Sequence, residues 1–163
     1  RLRVRDYYYT NMPRILLVED DPMISEIYER KFSTAGFEVR IVVSGKVVLE
    51  ILREEMFDLV LLDIVLPQMN GIDVLEQLRD PKNGYSSDLK VVMFSNLSEK
   101  DDRDRVVALG ASGFISKTEF SPTELIAEVS RFLRQFEMQK QNAAQWENGC
   151  VAPISAREIP ESE

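Results

Sequence analysis

Four short apolar runs recur along the middle of the chain, at residues 15–18, 59–62, 91–94 and 113–115. The stretches between them carry apolar residues at a helical period. Short runs without internal polar residues are typical of strands buried on both faces of a sheet. Their alternation with amphipathic helices predicts βαβ units, and therefore a parallel sheet with helices packed against it.

Turn and capping residues place the boundaries of these elements. Asp21 followed by Pro22 is typical of a helix start, and Asn70-Gly71 breaks the chain before another helix. The predicted strands cover residues 14–18, 37–43, 58–62, 89–94 and 113–115. The predicted helices begin at Pro22, after the cap Ser44, at Gly71, after Ser98 and after Ser121. The order of elements is therefore (βα)5.

Polar residues able to handle a phosphoryl group follow four of the predicted strands: Glu19 and Asp20, then Asp63, Ser95 and Lys117. In an open parallel sheet, ligands bind outside the carboxyl ends of the strands. We therefore expect these carboxylates, the hydroxyl and the amine to meet at one edge of the sheet.

The three carboxylates of Glu19, Asp20 and Asp63 would repel one another strongly if they converge. Each pair costs about 4 kcal/mol at 4 Å with an effective dielectric constant near 20. Lys117 offsets one of the three negative charges, and one divalent ion would neutralise the other two. Oxygen ligands favour Mg²⁺, with Mn²⁺ as a substitute. Asp63 could then act as an oxygen nucleophile on phosphorus and form an acyl phosphate.

Composition narrows the class of protein. The chain has 163 residues, 44% of them hydrophobic, which suits one domain, and no apolar run approaches the ~20 residues that span a bilayer. The net charge of −8 disfavours direct nucleic-acid binding. The chain has no histidine, so histidine catalysis and a phosphohistidine would belong to another protein. Its one cysteine, Cys150, suits a reducing compartment, and we expect a cytoplasmic protein.

The two ends differ from the middle of the chain. Residues 1–12 are predicted to form a disordered N-terminal extension, residues 13–136 the domain, and residues 137–163 a polar tail. Helical spacing continues past Phe136 and could extend the last helix as far as Asn148-Gly149 before a disordered end. Because no second domain is predicted, we expect a unit that acts alone.

The candidate residues lie in four segments: Leu-Val-Glu-Asp at 17–20, Leu-Leu-Asp-Ile-Val-Leu-Pro-Gln-Met-Asn-Gly at 61–71, Phe-Ser-Asn at 94–96 and Gly-Ala-Ser-Gly-Phe-Ile-Ser-Lys at 110–117. This ordered set resembles the receiver domain of bacterial two-component response regulators, over about residues 14–135. The resemblance implies a flavodoxin-like, doubly wound fold whose five parallel strands have the order 2-1-3-4-5.

The resemblance also implies a role for each acidic residue. Asp63 would be the phosphoacceptor, and Asp20 would bind Mg²⁺ directly. Glu19 would bind the ion directly or through water. The backbone carbonyl of Val65 would complete the protein ligands.

Ser95 and Lys117 would bond the phosphoryl oxygens after transfer, and Phe114 would turn inward as a switch when Ser95 moves. An alternative interpretation of Phe114 is a half-buried aromatic residue on an edge strand. Thr118 follows Lys117, where the family usually has proline, often after a cis bond. A cis bond before a residue other than proline costs ~3 kcal/mol. Either this bond is cis under strain or the loop takes another path.

The expected function is a signalling domain rather than an enzyme, with self-catalysed phosphotransfer and slow autodephosphorylation. The phosphoryl donor would be a histidine kinase or a histidine phosphotransfer protein. Output would pass through protein contacts, on the face formed by the fourth helix, the fifth strand and the fifth helix. That face or the extended last helix could also pair two copies into a homodimer.

Two other functions remain open at this point. Thr118 would also suit a receiver-like interaction module that no longer depends on phosphorylation. An aspartate-nucleophile phosphohydrolase would share the parallel sheet and the magnesium site. That enzyme class would need a second acid two residues after its nucleophile, where this chain has Val65.

Overall fold

A computed structural model of the chain describes residues 12–96 and 100–147. Most of the predicted N-terminal extension, the predicted cap Ser98 and the end of the tail from residue 148 lie outside these ranges. The strands are β1 Arg14–Val18, β2 Glu38–Val42, β3 Leu59–Leu62, β4 Val91–Ser95 and β5 Gly113–Ser116. The α-helices are α1 Pro22–Thr34, α2 Gly45–Glu54, α3 Gly71–Arg79, α4 Lys100–Ala108 and α5 Pro122–Glu147, and a short 3₁₀ helix spans Pro81–Asn83.

The five strands form one parallel sheet in the order β2-β1-β3-β4-β5. This confirms the predicted doubly wound fold. The register pairs Val18 with Leu62 and Ser95 with Ser116. The carboxyl ends of β1, β3, β4 and β5 therefore lie side by side, and the residues that follow them share one edge of the sheet.

Alternate residues of each strand point to opposite faces of the sheet, so the core has two layers. On one face, which we call the α1/α5 face, strand residues such as Leu61 and Phe94 pack against Phe32 of α1 and Val129 of α5. The other face packs against α2, α3 and α4. All four residues of β3 are fully buried, which explains why its run is unbroken and apolar.

The N–H groups in the first turn of a helix lack acceptors within the helix, and the helix starts of this chain differ in whether a side chain caps these groups. Asp21 accepts hydrogen bonds from the N–H groups of Met23 and Ile24, and Asn70 accepts one from Asp73 N–H. Ser44 occupies the N-cap position directly before α2, but its side chain makes no capping hydrogen bond in the described part of the chain. The prediction that Ser44 caps this helix was therefore wrong about the side chain and right about the position.

Helix α5 continues to Glu147, beyond the residues that it packs against the sheet. Phe132 stacks on Phe136 at 5.8 Å between ring centroids, and the side chains from residue 138 to residue 143 are exposed. Among the described residues, no helix combines the length and the apolar character needed to cross a membrane.

We expect Asn70→Ala to lower the free energy of unfolding by about 1 kcal/mol, because it removes a capping acceptor. Ser44→Ala is the matched control, and its loss should stay below about 0.5 kcal/mol. Urea unfolding followed by circular dichroism measures both. Equal losses for the two variants would contradict this account of the caps.

Candidate functional site

Three of the predicted site residues form a buried ionic cluster at the carboxyl edge of the sheet. Glu19 follows β1 and is 1% exposed, Asp63 follows β3 and is 5% exposed, and the Lys117 side chain, which follows β5, is 6% exposed. The Lys117 ammonium donates hydrogen bonds to Glu19 Oε2 and to Asp63 Oδ2, the second at 2.5 Å. One amine therefore joins the ends of three strands.

The protonation state of Lys117 follows from these contacts. Burial acts to lower the pKa of the Lys117 ammonium. Its hydrogen bonds to Asp63 and Glu19, together with their negative charges, act in the opposite direction and outweigh burial. The pKa of Lys117 is therefore raised above its ordinary value, and the site keeps a positive charge at neutral pH.

Asp20 is exposed and completes an acidic cluster with Glu19 and Asp63. One carboxylate oxygen from each of the three residues lies within 4.8 Å of the others. Three carboxylates and one ammonium leave two uncompensated negative charges, and an all-oxygen donor set suits a hard divalent cation. The residues present therefore fit such an ion.

The chain after Asp63 folds back on that carboxylate. The N–H of Val65 donates to Asp63 Oδ1 at 3.1 Å, while the Val65 side chain is exposed. The N–H of Gly71 donates to the carbonyl of Ile64 at 2.8 Å. A Cβ atom at position 71 would lie 2.0 Å from the Asp63 carbonyl oxygen, so only glycine allows α3 to start this close to Asp63.

Ser95 and Phe114 lie on the neighbouring strands β4 and β5. Ser95 is buried, and its carbonyl accepts a hydrogen bond from Lys117 N–H at 2.9 Å. Phe114 is half-buried, and the guanidinium carbon of Arg103 lies 5.1 Å from its ring centroid. This placement matches the alternative interpretation of Phe114 as a half-buried aromatic residue on an edge strand. The inward movement of Phe114 as a switch stays a prediction.

The bond between Lys117 and Thr118 is trans, since none of the peptide bonds in residues 12–96 and 100–147 is cis. The loop after β5 takes another path, in which the hydroxyls of Ser116 and Thr118 form a hydrogen bond of 2.8 Å. Lys117 still reaches both carboxylates from this loop. Threonine at position 118 is therefore compatible with the ionic cluster.

One member of the site was missed in the sequence. Lys117 Nζ lies 5.1 Å from the ring centroid of Phe94, the residue before Ser95. The ring of Tyr28 in α1 packs edge-on against Phe94, with centroids 5.2 Å apart. Phe94 ends an apolar strand run, and nothing in that local pattern separates it from an ordinary core residue.

A family model described as the response regulator receiver domain matches residues 15–130 of this chain. The chain belongs to the response regulator receiver family. Receiver domains are signalling domains rather than classical enzymes. The acidic cluster of Glu19, Asp20 and Asp63 is compatible with the Mg²⁺ binding that is typical of this family.

Curated relatives of this receiver are longer proteins. The transcriptional activator protein PfeR of Pseudomonas aeruginosa is 38% identical over 133 residues, which cover 82% of this chain and 42% of the relative. The DNA-binding response regulator MtrA of Mycolicibacterium smegmatis is 38% identical over 130 residues, which cover 78% of this chain and 54% of the relative. The chain spans about half the length of the curated relatives it matches.

Solved receiver structures match almost over their whole length. A CheY-like receiver domain protein from Methanospirillum hungatei is 26% identical with a TM-score of 0.70, and the match covers 79% of this chain and 99% of that one. The BeF3-activated N-terminal receiver domain of Klebsiella pneumoniae RstA is 28% identical with a TM-score of 0.66, and the match covers 74% and 98%. These likenesses confirm the receiver fold.

We expect Lys117→Met to lower the free energy of unfolding by about 3 kcal/mol, because it leaves two buried carboxylates without their cation. Arg131→Met is the matched control, since it breaks an exposed ion pair with Glu128 on α5. The control should lose less than about 1 kcal/mol. Urea unfolding at pH 7 with a chelator present measures both losses, and similar values would show that the buried cluster adds little stability.

Proposed function

We propose that this receiver accepts a phosphoryl group from a phosphohistidine of a donor protein onto Asp63. The observation that carries the proposal is the buried Asp63 carboxylate, which contacts Lys117 and lies in an acidic cluster with Glu19 and Asp20. A buried carboxylate with a cation on one side and a cation-binding cluster on the other suits an oxygen nucleophile for phosphorus. The donor would be a histidine kinase or a histidine phosphotransfer protein.

In the proposed step a carboxylate oxygen of Asp63 attacks phosphorus. A P–O bond forms and the P–N bond of the phosphohistidine breaks. The electron pair of that bond leaves with the imidazole of the donor, which then takes up a proton. The Val65 N–H and the Lys117 ammonium hold the two oxygens of Asp63 before the attack, so the carboxylate is oriented in advance.

Glu19, Asp20 and Asp63 would hold Mg²⁺, or Mn²⁺ in its place, with the backbone carbonyl of Val65 as a further ligand. The bound ion supplies positive charge to the phosphoryl oxygens. Lys117 would donate a hydrogen bond to one of those oxygens once its contact with Asp63 opens. Burial of Glu19, Asp63 and Lys117 strengthens these electrostatic contacts, because the local dielectric constant is lower than in water.

Output is proposed to pass from Ser95 to Phe114. Ser95 would bond a phosphoryl oxygen, and Phe114 would leave its half-buried position beside Arg103 for an inward one. Such a change shifts the population between two packings of the α4–β5–α5 face. That face would then bind a protein target or a second copy of the chain. PfeR is a transcriptional activator and MtrA a DNA-binding response regulator, but the matches cover only 42% and 54% of those proteins, so we propose no DNA contact for this receiver.

Incubation with acetyl phosphate and Mg²⁺ should add one phosphoryl group to the wild-type protein, as read by intact mass spectrometry. Asp63→Asn should show no gain, because an amide is a poor nucleophile, and chelation should abolish the gain in the wild type. Asp73→Asn, which alters an exposed acid in the first turn of α3, is the matched control and should be labelled normally.

A protein that gains no mass under any condition would refute the proposal and favour the module that works without phosphorylation. In that case Asp63→Asn should leave partner binding unchanged. Labelling of Asp63→Asn at the wild-type rate would place the phosphoacceptor elsewhere.

Asp20→Asn should weaken Mg²⁺ binding by about tenfold or more, since it removes a charged oxygen that faces the ion. Asp21→Asn removes a charge from the next residue but keeps a side-chain oxygen that can cap α1. Its effect should stay below about threefold, because solvent screens that charge. Isothermal titration calorimetry measures both affinities, and equal losses would mean that net charge alone, not the cluster, governs binding.

A further inference from the structure

We propose that Phe94 is a positioning residue that holds the Lys117 ammonium over its ring face and aims it at the phosphoryl group on Asp63. This inference rests on the proposed function. Phe94 would not touch the reacting atoms. Phe94 would act through Lys117, by restricting the positions that the Lys117 amine can occupy.

The distances support a direct attraction between ring and cation. Lys117 Nζ lies 5.1 Å from the Phe94 ring centroid, inside the range of about 6 Å over which cations and aromatic faces attract. Both groups are removed from water, since Phe94 is 1% exposed and the Lys117 side chain 6%. Desolvation makes this attraction stronger than at a protein surface.

The ring itself is held in place. Tyr28 of α1 packs edge-on against it at an interplanar angle of 79°, and both rings belong to the core of the α1/α5 face. Edge-to-face packing favours one ring orientation over others. The strand register adds a second constraint, because Phe94 pairs with Ile115 two residues before Lys117. The ring face is therefore a rigid support for the amine.

A neutral support has a particular use in this site. The Lys117 amine also contacts the carboxylates of Glu19 and Asp63, and Asp63 changes its charge when it is phosphorylated. The Phe94 ring is neutral, and its charge does not change on phosphorylation. A lysine side chain has a long flexible stem, so each fixed contact reduces the conformations that it must lose at the moment of transfer.

The first test reads the placement directly and does not need phosphorylation. An amine above a ring face puts the ε-methylene protons of Lys117 in the ring current, so their NMR signal should lie upfield of ordinary lysines. Phe94→Leu and Phe94→Met should both return the signal to its ordinary position. Phe94→Tyr should preserve the shift.

Phe32→Leu is the matched control for this test and for the rate measurement described below. Phe32 is also fully buried on the α1/α5 face and packs edge-on against Phe37, with centroids 5.4 Å apart. Its replacement should lower stability as Phe94→Leu does, because both remove a buried ring. It should leave the Lys117 signal unchanged.

The second test is the rate of labelling by acetyl phosphate at saturating Mg²⁺. Phe94→Leu should react about tenfold more slowly, which corresponds to about 1.4 kcal/mol in the barrier. Phe94→Tyr should restore most of the rate, and Phe32→Leu should react at the wild-type rate.

A Lys117 signal at the ordinary position in the wild type would overturn the inference even if a variant fails to fold. Equal rate losses in Phe94→Leu and Phe32→Leu would also overturn it, because they would show a general effect of core packing. A wild type that shows the upfield signal but is never labelled would instead refute the proposed function.

Discussion

The buried ammonium of Lys117 is the contact on which the rest of the site depends. It joins Glu19 and Asp63, which lie 98 and 54 residues away in the sequence. Either carboxylate alone would be costly to bury, and so would the amine. Their mutual pairing therefore requires that β1, β3 and β5 end at the same level of the sheet.

The parallel sheet makes that arrangement available. The central strands β1, β3 and β4 are almost entirely buried between the two helical layers, so most of their side chains are apolar until the chain emerges at the carboxyl edge. Polar residues are then tolerated, and those of neighbouring strands meet. The turn after Asp63 adds a local requirement, because Gly71 brings the start of α3 against the backbone carbonyl of Asp63. The same few residues at this edge, among them Asp63 and Gly71, therefore both direct the path of the chain and form the site.

Sequence reasoning succeeded where the signal is local and failed where it is not. The unbroken run at 59–62 predicted β3, and the acid that follows it proved to be buried beside a cation. Ser44 was placed correctly at a helix start, but its side chain makes no capping hydrogen bond among the described residues. The path of the loop at Thr118 was left open, and the structure shows a trans bond with a hydroxyl pair beside it.

The sequence by itself determined the order of strands and helices along the chain, the burial of the central strands on both faces, and which polar residues follow the strands at the carboxyl edge. These follow from periodicity and capping, which act over a few residues. Only the tertiary structure decided that the amine of Lys117 lies between two carboxylates and above Phe94. That outcome depends on strand register and on packing across the sheet. Both bring together residues far apart in the chain, and no local pattern records such contacts.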